Sequence, residues 1–369
     1  MIGYCTNVHA GDTIDEVVAN LHNFSSAVQH QVGKQIEIGL WLPDNSLSEQ
    51  TSDNLKECLD TLNLRVRSLN GFPFGNFHSN IVGRTVYEPT WCEEDRLTYT
   101  KKLATILSNL LPKNKSGSIS TLPLGWGEGW DGDKQAAQML VQCVDFLEEL
   151  EQTSGQLIHL DIEPEPGCRL QTARNLAEFI QIQFDDDERI RRYIRVCHDT
   201  CHAAVMRENP RESIDTYAQV GLSIGKVQLS SAVDVNFDSL GQEEKVVAIE
   251  ALRSVAEPRY LHQTTIVRDG VMKFYNNLPD APLDQPVGHW RVHFHVPIHN
   301  ESFGPLGTTR HDLLQSLLYL PDDDDTQWEV ETYTWDVMPL EFQENELINS
   351  IASEINWANE QLHRVNCDE

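Results

Sequence analysis

The sequence predicts an α/β fold, a (β/α)8 barrel. Short β-like runs alternate with longer amphipathic stretches along all 369 residues, and the polar residues suited to chemistry fall at the C-terminal ends of several different runs. The runs are 2–7, 36–42, 66–70, 118–122, 157–163, 194–199, 224–229, 290–297 and 328–334. Such alternation means parallel strands joined by crossover helices. The stretch 135–150 shows the helical pattern: Ala136, Met139, Leu140, Val144, Leu147 and Leu150 share one face, while Gln138, Asp145, Glu148 and Glu149 fall elsewhere. An open doubly wound sheet rarely needs nine strands, and a barrel takes eight. One run, or the nearby segment 260–267, is therefore expected outside the wall, as an extra strand or hairpin late in the chain.

Composition narrows the class. Hydrophobic residues make up 40% and charged residues 23%, enough apolar material for a large core. No linker, low-complexity tract or repeat interrupts the pattern, so residues 1–369 are read as one domain. Lys and Arg number 28 against 57 Asp and Glu, a net charge of −29. That field repels phosphate backbones and anionic headgroups, which argues against nucleic acid and membrane surfaces as partners. The acidic runs 185–188 and 322–325 read as solvated loops. The sequence enters a strand-like run at once, without a basic region and apolar stretch, and no apolar run approaches the ~18 residues of a membrane span. A cytoplasmic protein is expected. Its eight cysteines are scattered without CxxC spacing and are expected as reduced thiols.

Four late strand ends could carry chemistry. In Asp161-Ile162-Glu163-Pro164-Glu165-Pro166, prolines stiffen the exit and fix the direction of the carboxylates, and Glu163 is the pocket candidate. In Cys197-His198-Asp199-Thr200-Cys201-His202, Asp199 and His202 lie three apart where strand passes into helix, and so on one side. A carboxylate with an imidazole suits Mn, Zn, Co or Fe better than Ca. In His293-Phe294-His295-Val296-Pro297-Ile298-His299, alternation places three imidazoles on one strand face. In Glu329-Val330-Glu331-Thr332-Tyr333, Glu331 sits among apolar and β-branched residues, and a buried carboxylate needs a partner or a metal. Gly127-x-Gly129-x-x-Gly132 matches a dinucleotide fingerprint by spacing. Glu128 and Asp131 inside it would repel a pyrophosphate, so the loop is read as a lid bearing Trp126 and Trp130.

With those residues in view, the chain resembles the xylose isomerase-like TIM-barrel superfamily of sugar phosphate isomerases and epimerases, and more closely the EboE-type metabolite traffic proteins. The segments Gly3 to His9, Leu69 to Gly75, Ser118 to Gly125 and Gly225 to Ala232 carry the closer match, together with those around Glu163, Asp199, His293 and Glu331. The resemblance implies a divalent metal ion held by Glu, Asp, His and Glu, the two glutamates serving as acid and base. Glu163, Asp199 and Glu331 take three of those places, and His202 takes a substrate-contacting one. Gln228 stands where the usual His would be, so His295 becomes the candidate fourth ligand, its alternative being a hydrogen-bonded core histidine. Lys226, Gln228 and His293 are further candidates for substrate contact, under a lid formed by Trp126. The implied reaction is proton transfer next to the carbonyl of a small polyhydroxylated metabolite. A non-catalytic, metabolite-binding traffic barrel that keeps the pocket is the alternative, favoured by Gln228. A nuclease with a zinc cluster is disfavoured by the charge.

Overall fold

Barrel strands must bury both faces, and here buried apolar residues are interleaved with buried polar ones such as Ser118, Asp161, Lys226 and Glu329. In the computed structural model, β1 (Ile2–Cys5), β2 (Glu37–Trp41), β3 (Arg65–Asn70), β4 (Gly117–Thr121), β5 (Ile158–Ile162), β6 (Ile194–Asp199) and β7 (Ile224–Leu229) pair in parallel in chain order. The late strand β14 (Gln327–Val330) closes the circle between β7 and β1, with Ile2 opposite Trp328 and Val330 opposite Leu229. The structure describes every residue except Asn76, Asp185, Asp186, Glu344, Asp368 and Glu369, and of Asn366 and Cys367 the backbone only.

Amphipathic helices, among them Thr51–Leu62, Glu94–Leu110, Asp133–Ser154 and Ala173–Phe184, cover the barrel. Asp133–Ser154 turns Ala136, Leu140, Val144 and Leu147 inward, as its periodicity requires. Among the described residues, no helix is long and apolar enough to cross a membrane. The acidic run 185–188 begins outside the described residues; its Asp187 caps the helix Glu188–Tyr193. Asp322 to Asp325 are exposed.

The crossover between β7 and β14 carries a six-stranded antiparallel sheet. Its strands are β8 (Val233–Asn236), β9 (Thr264–Arg268), β10 (Val271–Tyr275), β11 (His289–Val292), β12 (Ser302–Phe303) and β13 (Leu306–Thr308), in the order β10-β9-β11-β8-β13-β12. The runs at 290 and at 260 both belong here, outside the wall. The sequence His289-Trp290-Arg291-Val292 shows why: Trp290 and Val292 are buried while His289 and Arg291 are partly exposed. That alternation suits a sheet with one wet face and is foreign to a barrel stave.

Below the mouth, the barrel interior is ionic. Lys226 Nζ pairs with Glu329 at 2.9 Å and donates to Ser120 Oγ at 3.3 Å, and Ser68 donates to the same glutamate. Asp161 accepts from Ser118 Oγ at 2.5 Å and lies 2.6 Å from His159 Nδ1. Two glycines make room for these groups. A Cβ on Gly39 would lie 2.0 Å from Glu329 Oε2, and one on Gly225 would lie 2.5 Å from Asp161 Oδ1.

Candidate functional site

Three carboxylates converge at the C-terminal mouth of the barrel. Glu163 follows β5, where its amide still donates to Thr121 O at 3.0 Å before Pro164 ends the ladder. Asp199 ends β6 and caps the short helix Thr200–Val205: its Oδ1 accepts from the His202 amide at 2.8 Å and from Ser230 Oγ at 2.7 Å. Glu331 follows β14, and its Oε1 accepts from Asn7 Nδ2 at 2.7 Å and Asn70 Nδ2 at 3.4 Å. One oxygen from each of the three lies within 4.8 Å of the others.

All three are buried. Burial pushes the Glu163 carboxyl well above its ordinary range, and the charges of Glu331 and Asp199 push the same way. Burial and Asp199 lift Glu331 to about 8. Burial opposes ionisation of Asp199 too, but His202, His295, the Ser230 hydroxyl and the His202 amide outweigh it and hold that carboxyl below its ordinary value. Glu163 Oε2 and Asp199 Oδ2 are buried with no hydrogen-bond partner. Two orphaned carboxyl oxygens in one cluster are costly unless a cation compensates them, so the donor set fits a divalent metal ion.

Histidines crowd the same place. His202 Nε2 lies 3.1 Å from His293 Nε2, which lies 3.2 Å from His295 Nε2. Asp199, His202 and His295 form one candidate ligand group, and Glu165, His202 and His293 form another. Burial keeps all three imidazoles neutral, lowering His202 to about 4. His293 and His295 lie past the end of β11 in extended, irregular chain, so the strand expected to carry the histidines stops at Val292. His299 is in a turn, half-buried, and in none of these groups.

The other expected residues lie further down or outside. Lys226 is fully buried in the interior ion pair with Glu329. Gln228 is one residue from the end of β7; its Oε1 accepts from Cys197 Sγ at 3.5 Å, and its Nε2 is buried without a partner. Trp126 packs on Tyr87, ring centroids 5.1 Å apart, with the Arg84 guanidinium 4.8 Å from its own ring. In the glycine loop, Glu128 pairs with Arg84 at 2.8 Å, and the helix behind it begins at Asp133, whose carboxylate binds Arg169 and Trp130. An acidic group already occupies the place a pyrophosphate would need. Seven cysteines are free thiols, and Cys367 lies where side chains are not described.

Several site residues escape the sequence reading. Glu165 accepts from Tyr87 Oη at 2.7 Å, and burial lifts its carboxyl to about 8. It shares the parity of Asp161 and Glu163, so extending the alternation through the prolines would have found it. Asn7, Asn70, Gln263 and Tyr333 carry no comparable signal. Together with Glu163, Glu331, His202 and His293, residues including Asn7, Asn70 and Tyr333 line a cavity of about 510 Å³, part of it open to solvent.

No protein-family model matches the chain, and no curated protein sequence is detectably similar to it. Solved structures do resemble it over nearly its whole length. One is a xylose isomerase-like TIM barrel protein from Mycobacterium smegmatis in complex with magnesium, with TM-score 0.54 and 10% identity, covering 99% of this chain and 97% of that one. Another is the IOLI protein with a binding zinc atom, with TM-score 0.51 and 13% identity, covering 99% and 98%. At these identities the likeness is one of fold: the chain is a TIM barrel of the xylose isomerase-like kind.

Proposed function

We propose that the chain is an isomerase or epimerase that moves a proton next to the carbonyl of a small polyhydroxylated metabolite, with a divalent ion held by Glu163, Asp199 and Glu331. The observation that carries this reading is the pair of buried, partnerless oxygens, Glu163 Oε2 and Asp199 Oδ2, inside one carboxylate cluster. When bound, such an ion supplies Lewis acidity to a carbonyl or hydroxyl oxygen.

The chain's own groups do the rest. Asn7 and Asn70 engage Glu331 Oε1, which leaves Oε2 as the oxygen able to take a proton from the α-carbon. Glu331 accepts that proton, and Glu163, in the same carboxylate cluster, is the complementary acid or base that returns one. Tyr87, Tyr260 and Tyr333 wall the cavity and limit water. Glu165 and His202 offer hydrogen bonds to substrate hydroxyls.

The finer assignment to EboE-type metabolite traffic proteins is supported by where its segments fall: Asn7, Asn70 and Phe72 come from two of them and line the mouth. A second reading, a barrel that binds and carries such a metabolite without turning it over, is favoured by Gln228, an amide where a basic ligand would stand. Incubation of ion-loaded protein in D2O with ketoses, aldoses and their phosphates separates the two. Deuterium at an α-carbon is the expected result, slowed roughly 10²–10⁴-fold in Glu331→Gln. Binding without exchange across the panel would overturn the enzymatic reading.

A further inference from the structure

The lining of the mouth cavity has two chemically unlike parts. Glu163, Glu165, Glu331 and His202 make one. Phe77, Tyr260 and Tyr333 make the other, and their rings pack on one another with centroids 5.0 to 5.4 Å apart. These three come from separate segments, after β3, before β9 and after β14. Phe77 and Tyr260 belong with Trp41 and Val82 to an apolar cluster distinct from the main core. The hydroxyls of this wall are engaged inside it: Tyr260 Oη donates to Phe77 O at 3.1 Å, and that of neighbouring Tyr87 donates to Glu165 at 2.7 Å. Tyr260 and Tyr87 thus offer a ligand their ring carbons.

Charge sets a second limit. No Lys or Arg lines the cavity among the described residues, and none of the undescribed residues is one. The nearby cations are committed elsewhere. Arg84 pairs with Glu128 at 2.8 Å, Lys226 pairs with Glu329 at 2.9 Å, and Arg96 donates to the oxygens of Gly71, Phe72 and Pro89. Arg259 lies 5.9 Å from the Tyr260 ring, outside the lining. A helix start is the other common phosphate holder, but that of Thr200–Val205 is capped by Asp199. A divalent ion would be neutralised by its own three carboxylates. A phosphate group here meets carboxylates and no free cation, a costly arrangement for a partly buried anion.

We propose that the substrate is an uncharged polyhydroxylated compound bearing an aryl group, with its hydroxyls at Glu163, Glu331 and His202 and its ring against Phe77, Tyr260 and Tyr333. Tilted and edge-on rings form a wall that favours another aromatic ring over a plain alkyl chain. This rests on the proposed use of the mouth and names the substrate class; phosphate esters are excluded from it.

Calorimetric titration of manganese-loaded wild-type protein tests it, with a panel of hexoses and pentoses offered free, as terminal phosphate esters and as phenyl glycosides. A glycoside cannot isomerise, so the titration reads recognition alone. Phenyl glycosides are expected to bind at least ~10-fold more tightly than the parent sugars, and the phosphates more weakly than either. Phosphates binding as well as the free sugars, phenyl glycosides binding no better than them, or a panel without any binder overturns the proposal. In Tyr260→Ala the phenyl advantage should be lost; an undiminished advantage in the folded variant also overturns it. Exchange in D2O separates this from the isomerase reading. The expected ranking without any exchange sinks the enzyme and leaves this proposal standing, whereas deuterium entering a sugar phosphate keeps the enzyme and overturns the proposal.

Discussion

Replacing Glu354 by glutamine should change how the stability of the protein depends on pH. Glu354 is buried on the C-terminal helix Leu347–Cys367. Its Oε2 accepts from Thr332 Oγ1 at 2.8 Å and from the Ile298 amide at 3.1 Å, and its Oε1 has no partner. It thereby joins the segment after Glu331 to the one after His295. Burial raises its carboxyl from 4.5 to about 7, against the partial opposition of those two hydrogen bonds. The sign follows from proton counts. Between pH 4.5 and 7 the unfolded chain has released this proton and the native protein keeps it, so stability falls as pH rises through that window and levels off above it. The contribution present at pH 5 and lost by pH 8 is roughly 2–3 kcal/mol. Glutamine keeps the shape and cannot titrate. Urea unfolding of both proteins at pH 5 and pH 8 should show the variant gaining that amount on the wild type at the higher pH. A stability difference independent of pH would refute the argument that Glu354 is protonated in the native state.

Two further outcomes follow from the interior and the mouth. Lys226→Met leaves the Glu329 carboxylate without its cation inside the barrel and should cost about 3–5 kcal/mol in denaturant unfolding, with much of the loss recovered in Lys226→Met/Glu329→Gln. Chelation should lower the melting temperature, and restoring a divalent ion at about 100 times its dissociation constant should return roughly 3 kcal/mol, read by calorimetry.

The barrel was legible from the alternation of strand-like and helical runs, not from the staves themselves: β7 and β14 are buried at every position although they carry Lys226, Gln228, Gln327 and Glu329. The antiparallel crossover was legible only in part. The alternation in His289 to Val292 marks a half-wet strand, yet the two-residue strands Ser302–Phe303 and Leu306–Thr308 are too short to leave a pattern. At the mouth, Glu163, Asp199 and Glu331 stood out as carboxylates at strand exits. Their supports did not. Asn7 reaches Glu331 across 324 residues of sequence, and nothing local marks it; His202 and His293 were each marked locally, but their meeting across 91 residues was not. Lys226 was put forward as a substrate contact together with the resemblance, but only the pairing of β14 with β7 brings the Glu329 carboxylate to it.

The most direct test of the central claim is the metal content of chelator-free wild-type protein against that of Glu163→Gln/Glu331→Gln, measured per chain by elemental analysis. If the two glutamates and Asp199 hold an ion, the double variant carries one equivalent fewer while remaining folded. Equal content in the two proteins would contradict the account, because the buried carboxylates would then be coexisting without the cation that their burial demands.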